Sequence, residues 1–172
     1  MIEERIMAMM KNLASLSDDD QMKLLSQVDS QRADLARALI EHLDTSDSEA
    51  VQAGAIYLIG RHRLSEGVGA LIQRIEFEPK GPPIREPEPL WERYPAMEAL
   101  IHIGRPSVPA ATELLATDDA DLRRDLAVKV IRYAEDAKVA RFILEQAHAG
   151  ERDPARKARL QDALARLDKL PH

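Results

Sequence analysis

The chain has 172 residues, of which 45% are hydrophobic, 31% are charged and 3% are aromatic, and its net charge is −6. These values predict one helical globular domain over residues 1–172, because the apolar residues are mostly Ala, Leu, Ile and Val. The acidic balance disfavours a nucleic-acid partner, the absence of cysteine excludes disulfides and thiolate sites, and no apolar run approaches the roughly 20 residues needed to cross a bilayer.

The first 47 residues contain three segments whose apolar residues recur at three- and four-residue spacing, which is typical of amphipathic helices. They predict helices over about 2–16, 17–30 and 32–43, of which the first is rich in methionine. Acids in Met1-Ile2-Glu3-Glu4-Arg5 stand where a secretory signal needs basic residues, so we expect a cytoplasmic protein. Residues 1–47 are therefore predicted to be N-terminal capping helices.

A pattern of small and aliphatic residues then occurs three times, followed each time by a turn and a second helix-period segment. The copies are Ala53-x-Ala55-Ile56-x-x-Ile59-Gly60, Ala96-Met97-x-Ala99-Leu100-x-x-Ile103-Gly104 and Ala127-x-x-Val130-x-x-Tyr133-Ala134. Recurrence of a helix pair marks a stacked repeat, because one pair cannot bury its own apolar face. We expect Ala55 and Ala99 to allow close helix packing, and Gly60 and Gly104 to end their helices in the left-handed conformation.

The repeats predict the boundaries of three helix pairs, each made of an A helix and a B helix. The expected ranges are 48–60 and 65–76, then 91–104 and 106–116, then 121–134 and 136–149, followed by a last helix over 153–170. The turn ending at Ser48 and the segment 117–119 are expected to cap the first and third A helices. The B helices are expected to bury Val68, Leu71, Ile72 and Ile75, then Val108, Ala111, Leu114 and Leu115, then Val139, Phe142 and Ile143.

A proline-rich insertion interrupts the repeats. Gly60 and Gly104 are 44 residues apart, whereas Gly104 and Ala134 are 30 apart, so the first interval holds 14 extra residues. Five of the ten prolines lie at 78–91, which excludes a helix and predicts an extended loop. The predicted organisation is then repeats at 48–77, 91–117 and 118–150, an insertion loop at 78–90 and a C-terminal capping helix at 151–172.

The repeat resembles the HEAT-like repeats of the phycobilisome-lyase type, whose A helix opens with an acidic turn and a hydrophobic-Arg pair. Leu122-Arg123 matches this pair, Glu92-Arg93 matches it in part, and the first unit has Ser48-Glu49 instead. The resemblance covers 48–150 and implies an all-α, right-handed α-α superhelix, a HEAT-like solenoid of about four to five helix pairs. In that family's arrangement Arg123 reaches an acidic turn, at Asp118 or Asp119; alternatively it is only a surface charge.

Two regions are candidate partner-binding sites. Long loops in compact domains are often functional, and aromatic and Arg side chains dominate interface energies. Those in and just after the insertion are Arg85, Trp91, Arg93 and Tyr94. Alternatively, Leu90 and Trp91 only anchor the loop to the stack. The exposed faces of the B helices should line a concave surface, with candidate contact residues Glu66, Gln73, Glu113, Lys138 and Arg141.

No residue pattern indicates catalysis or metal binding. The five histidines are scattered, and no two have the three- or four-residue spacing of ligands on one helix face. Acidic runs at 18–20 and 118–119 fall at predicted helix starts, where capping explains them. The basic run at 152–159 is expected to be a solvated helix face, since acids lie close by. We predict no enzyme activity, no cofactor and no metal.

These patterns predict a non-catalytic protein–protein interaction or scaffold module that binds another protein through its concave face and the Pro-rich loop. Neither nucleic acid nor membrane is expected as a partner. Two other functions stay open: an accessory enzyme or chaperone like the tetrapyrrole lyases, which needs a chromophore groove, and a HEAT-like DNA-binding or repair protein, which needs a cationic groove. Pairing of two copies through the Met-rich first helix is a further alternative.

Overall fold

The computed structural model of the protein describes residues 17, 32–80 and 93–171. These residues form eight α-helices and no strand, so the prediction of an all-α protein is confirmed for them. The helices are α1 (Arg32–Thr45), α2 (Glu49–Arg61), α3 (Val68–Gln73), α4 (Pro95–Ile103), α5 (Val108–Thr117), α6 (Asp121–Ala134), α7 (Ala137–Gly150) and α8 (Pro154–Leu167). Short 3₁₀ turns at Ser65–Gly67 and Arg105–Ser107 lead into α3 and α5. None of these eight helices is long and apolar enough to cross a membrane.

Several predictions fall on residues that the structure does not describe. They are the helices expected over 2–30, most of the insertion loop at 78–90, and the candidate contact residues Arg85 and Trp91.

Side chains at the helix starts explain where α2, α7 and α8 begin. The Ser48 hydroxyl accepts from the Val51 N–H at 3.5 Å, which confirms the predicted capping site. Asp136 and Asp153 cap α7 and α8 in the same way, with the nearest amide nitrogens at 2.9 and 2.8 Å. Each cap satisfies an amide that has no partner within its own helix.

The predicted cap of α6 was wrong in its detail. Ala120 is the N-cap residue, and its side chain accepts no hydrogen bond. Asp118 acts two residues earlier, where its Oδ1 accepts from the Ala120 N–H at 2.8 Å and closes the turn before the helix.

The start of α4 also differs from the prediction, which placed it at residue 91. The helix begins at Pro95, and the preceding Tyr94 has φ −121° and ψ 79°. Proline disfavours the helical conformation in the residue before it, but fits the first position of a helix, where no intrahelical N–H partner exists. Arg93 and Tyr94 therefore belong to the end of the insertion and not to the helix.

Helices α1 to α6 and α8 form two layers with one apolar core, and α7 packs against α6 and α8. α2 packs against α4, α4 against α6 and α6 against α8, while α1, α3 and α5 pack along the other side. The core includes Leu39, Ile59, Leu100, Val130 and Leu164, all at most 9% exposed. The A helices pack on one another because their small residues recur at helical spacing, which places them on one face of each helix.

α8 extends the first layer, although its sequence was expected only to cap the stack. It packs against α5, α6 and α7. Its buried Leu160 and Ala163 follow Ala127 and Val130 of α6 at a spacing of 33 residues. The preceding interval, from Gly104 to Ala134, is 30 residues, so a repeat of constant length does not predict this match.

The two repeat glycines have different roles. Gly104 has φ +81° at the end of α4, as predicted for a residue without a Cβ atom. Gly60, in contrast, is helical and buried inside α2, and the residue with positive φ in the next turn is Arg63. A Cβ atom on Gly60 would lie 2.7 Å from the Cα of Ala99, so glycine is needed there because α2 and α4 approach closely.

Candidate interaction site

The B helix of the third pair, α7, buries less of its apolar surface than the sequence predicted. Ala140 and Leu144 are fully buried, whereas Phe142 is 59% exposed. The expectation that Phe142 faces inward was therefore wrong, while Val139 and Ile143 are half-buried. Ala140 and Leu144 stand four residues apart on one helix face, and Phe142, midway between them, points to the opposite side.

Two predicted contact residues lie near this exposed ring on α7. Lys138 is one helical turn before Phe142, so their side chains share a face of α7. Arg141 points to the side of that face, where it forms ion pairs with Asp168 and, at 3.7 Å, with Glu145. The structure thus brings together an aromatic residue, a lysine and an arginine on one exposed helix surface.

A hollow of about 270 Å³ lies beside α7, between the end of α6 and the end of α8. Three basic side chains and one acidic side chain line it, together with apolar residues that include Leu167 and Leu170. The basic residues are Arg132, Lys138 and Arg141, and the acidic residue is Asp168. An anionic group entering this hollow would meet more positive than negative charge.

A second hollow of about 510 Å³ shares Leu170 with the first and lies between α6 and α8. Its lining includes three aspartates, but all of them are held by one guanidinium. Arg166 binds Asp121, Asp125 and Asp162 at 2.6, 2.6 and 2.5 Å. This hydrogen bonding lowers the pKa of Asp162 below its usual value.

Lys129 and Lys169 complete the lining of the second hollow. We call the set of residues around Leu170 the basic surface, and it consists of Lys129, Arg132, Lys138, Arg141 and Lys169. Sequence reasoning found only two of the five. Two others could have been predicted from the sequence. Lys129 and Arg132 are three residues apart before the α6–α7 turn, as Lys138 and Arg141 are after it.

The other predicted contact residues do not join this surface. Both carboxylate oxygens of Glu113 accept from Arg156 of α8, at 2.9 and 2.8 Å. Glu66 is exposed in the turn before α3, and Gln73 ends that helix with its carbonyl accepting from Arg123 at 3.2 Å. Glu113 is therefore occupied by an intramolecular contact.

Arg93 and Tyr94, at the end of the insertion, form few contacts with the rest of the described structure. Arg93 is exposed, and its Nε lies 3.9 Å from Glu78 Oε1, which is a weak surface ion pair. Tyr94 is half-buried and packs against the core. These two side chains mark where the insertion returns to the stack.

Arg123 reaches Asp118, one of the two acids expected for it, and it is therefore more than a surface charge. Its Nε donates to Asp118 Oδ2 at 2.7 Å, and its terminal nitrogens donate to the carbonyls of Ile72 and Gln73. Partial burial raises the pKa of Asp118, but the hydrogen bonds from Ala120 and Arg123 outweigh it and lower that pKa overall. Arg123 thus joins the start of α6 to the carbonyl end of α3.

The basic run at 152–159 is partly neutralised within the fold. Arg156 binds Glu113 and Glu151, and Arg159 binds Asp119 at 2.6 Å. The hydrogen bond from Arg156, with further ones from the Asp153 and Arg152 amides, lowers the pKa of Glu151 to about 2. This run therefore provides contacts between helices as well as a solvated surface.

No group of three His, Asp or Glu side chains within residues 32–80 and 93–171 could hold a metal ion.

Comparisons of the chain with protein-family models, with known proteins and with solved structures return no match.

Proposed function

We propose that this chain is a non-catalytic protein-interaction module of the cytoplasm, built as a right-handed superhelix of HEAT-like helix pairs. The two alternating helix layers support the superhelix, because each A helix packs on the A helix before it. Superhelices of this kind present long exposed faces to partners.

The exposed Phe142 is the observation that carries this proposal. Phenylalanine is buried in most folds, and this one is 59% exposed on a helix whose other face is packed. It lies one turn after Lys138 and directly follows Arg141, and aromatic and Arg side chains are enriched at the centres of protein interfaces. The loop at 78–91 is proposed to contribute contacts through Arg85, Trp91, Arg93 and Tyr94.

The test is capture of a partner from the cells that produce the protein, with the wild-type chain and two variants as bait. Phe142→Ala is expected to lower partner affinity about tenfold or more, the size of an interface hot spot. Leu122→Ala is the matched control, because Leu122 is the other large apolar residue exposed in the described part of the chain, at 42%. Equal retention by all three baits, or no saturable partner, would reject the proposal.

The contribution of the loop needs its own variant. A chain in which a short Gly-Ser linker replaces residues 81–90 is expected to keep its helical content and to recover less partner. Unchanged recovery would limit the interaction to the helices and would remove Arg85 from the site.

A further inference from the structure

We infer that the basic surface is a docking site for an acidic peptide segment of the partner protein. This inference rests on the proposed function and adds the chemistry of what is bound.

The five basic residues differ in how their charges are balanced. Among the residues that the structure describes, no carboxylate forms an ion pair with Lys129, Lys138 or Lys169. Arg132 donates to the carbonyl of Pro171 at 3.3 Å and lies 5.4 Å from the ring centroid of Tyr133, and neither contact supplies a negative charge. Only Arg141 is paired, with Asp168 and Glu145.

The acids that border the surface are engaged elsewhere. Asp136 uses Oδ1 to accept from the Lys138 and Val139 amides at the start of α7. Glu135 binds Arg105 at 2.8 Å. The three aspartates of the larger hollow surround Arg166, and with Lys129 and Lys169 the lining of that hollow holds three acidic and three basic side chains. Lys138 and Lys169 attract the carboxylates of Asp136 and Asp162 electrostatically, but they form no ion pair with them.

The smaller hollow, which is lined by three basic side chains and one acidic side chain, has an excess of positive charge, and this is unusual for a chain whose net charge is −6. Like charges repel, so the acidic remainder of the molecule would oppose a long polyanion, whereas a short acidic segment can meet the basic surface alone. Electrostatic complementarity of this kind speeds association and fixes the orientation of a partner.

Apolar side chains next to the charges favour a peptide over a nucleic acid. Leu167 and Leu170 line the smaller hollow, and Phe142 is exposed one turn from Lys138. The Cβ atoms of residues four apart on a helix are about 5–6 Å from each other. A peptide with an acidic and an apolar side chain one turn apart would contact Lys138 and Phe142 together. A nucleic acid can stack a base on Phe142, but its continuous phosphates would also meet the acidic remainder of the chain.

The experiment uses an array of twelve-residue peptides containing Glu, Asp, Leu and Phe, each paired with a form in which Gln and Asn replace the acids. Binding of the full-length chain is measured at low salt for the wild type, for Lys138→Glu/Lys169→Glu and for Arg152→Glu/Lys157→Glu. The second double variant is the matched control, because it changes the net charge equally and its residues lie just before and within the first turns of α8, about 18–25 Å from Lys169 at 1.5 Å per residue. All four substituted residues are exposed or half-buried.

The wild type is expected to bind acidic peptides about tenfold more tightly than their neutral forms, and less so as salt rises. This preference should disappear in Lys138→Glu/Lys169→Glu and stay within about twofold in the control. Equal binding of acidic and neutral peptides, or a preference that survives the first double variant, overturns the inference. So does tighter binding of a single-stranded oligonucleotide, or a dimer in sedimentation that the same variant dissociates, since a nucleic acid or a second copy would then be the occupant.

The two proposals fail in different ways. If partner capture depends on Phe142 but not on Lys138 and Lys169, the interaction module stands and the acidic segment is wrong. If no partner is captured and no peptide binds, the interaction module itself is wrong.

Discussion

Arg156 donates hydrogen bonds to both carboxylate oxygens of Glu113, 43 residues earlier in the chain, and so joins the first turn of α8 to α5. Its Nε also donates to Glu151 Oε2 at 2.7 Å. Arg123 and Asp118 stand 33 residues before Arg156 and Glu151 and form the same contact. One arginine near the start of an A helix, with an acid five residues earlier, thus recurs in successive units.

The first prediction concerns the pH dependence of this contact. The pKa of Glu151 is lowered from 4.5 to about 2 in the folded protein, mainly by the hydrogen bond from Arg156. A carboxyl whose folded pKa is lowered stabilises the fold above its unfolded pKa, and this contribution is lost as the pH falls through the folded pKa. Arg156→Ala should therefore be less stable than the wild type at pH 7, and the difference should narrow between pH 4.5 and about 2.

Urea unfolding at a series of pH values measures that difference. Arg152→Ala is the control, because no carboxylate in the described part of the chain pairs with Arg152. A stability difference for Arg156→Ala that stays constant across the acidic range would show that its effect comes from lost packing and not from the ion pairs.

The second prediction concerns the close approach of α2 and α4. Gly60→Ala places a methyl group 2.7 Å from the Cα of Ala99, and should cost about 1–3 kcal/mol of unfolding free energy as an overpacked contact. Gly69→Ala should have the opposite sign, with a gain of about 0.5–1 kcal/mol, because nothing lies within 4 Å and alanine is the better helix former. Thermal or urea unfolding of the two variants checks the pair, and a stable Gly60→Ala protein would contradict the close approach.

The third prediction concerns α7. Phe142→Ala should change the unfolding free energy by no more than about 0.5 kcal/mol, because the ring is largely exposed. Leu144→Ala, two residues later on the buried face, should cost about 2–5 kcal/mol. Chemical unfolding distinguishes the two outcomes. A large loss for Phe142→Ala would place that ring in the core and would remove the basis of the proposed interface.

The fourth prediction concerns the buried Arg124 of α6. Its guanidinium donates to the carbonyl of Arg159 at 2.7 Å and pairs with Asp162 at 3.0 Å, while its Nε has no hydrogen-bond partner in the described structure. Asp162→Asn leaves a buried charge with a weaker acceptor and should cost about 1–3 kcal/mol. Arg124→Met removes that charge, and Asp162 keeps Arg166, so this variant should cost less. The reverse order in unfolding experiments would contradict this assignment.

Local patterns in the sequence were sufficient to predict most of the helices. The range 121–134 agrees with α6 at both ends, and the cap at Ser48 is observed. These features depend on residues within one or two turns of each other, where side-chain spacing and capping act directly. The candidate site was predicted less well, because only Lys138 and Arg141 among its basic residues were identified.

The errors share one physical origin. Whether Gly60 ends a helix or lies under Ala99 depends on how near α4 comes to α2, and whether Phe142 is buried depends on which face of α7 meets α8. Likewise, Glu113 is occupied only because α8 brings Arg156 to it. These are contacts between elements far apart in the chain, and each helix alone is compatible with several of them.

The sequence by itself therefore determined that the described part of the chain is helical, and it predicted repeated helix pairs with one proline-rich interruption. Only the tertiary structure decided which side chains remain at the surface. It left the ring of Phe142 exposed, and it gave Lys129, Lys138 and Lys169 no ion pair among the described residues. Helix formation is a local property of the chain, whereas burial and charge neutralisation depend on the neighbours that folding brings together.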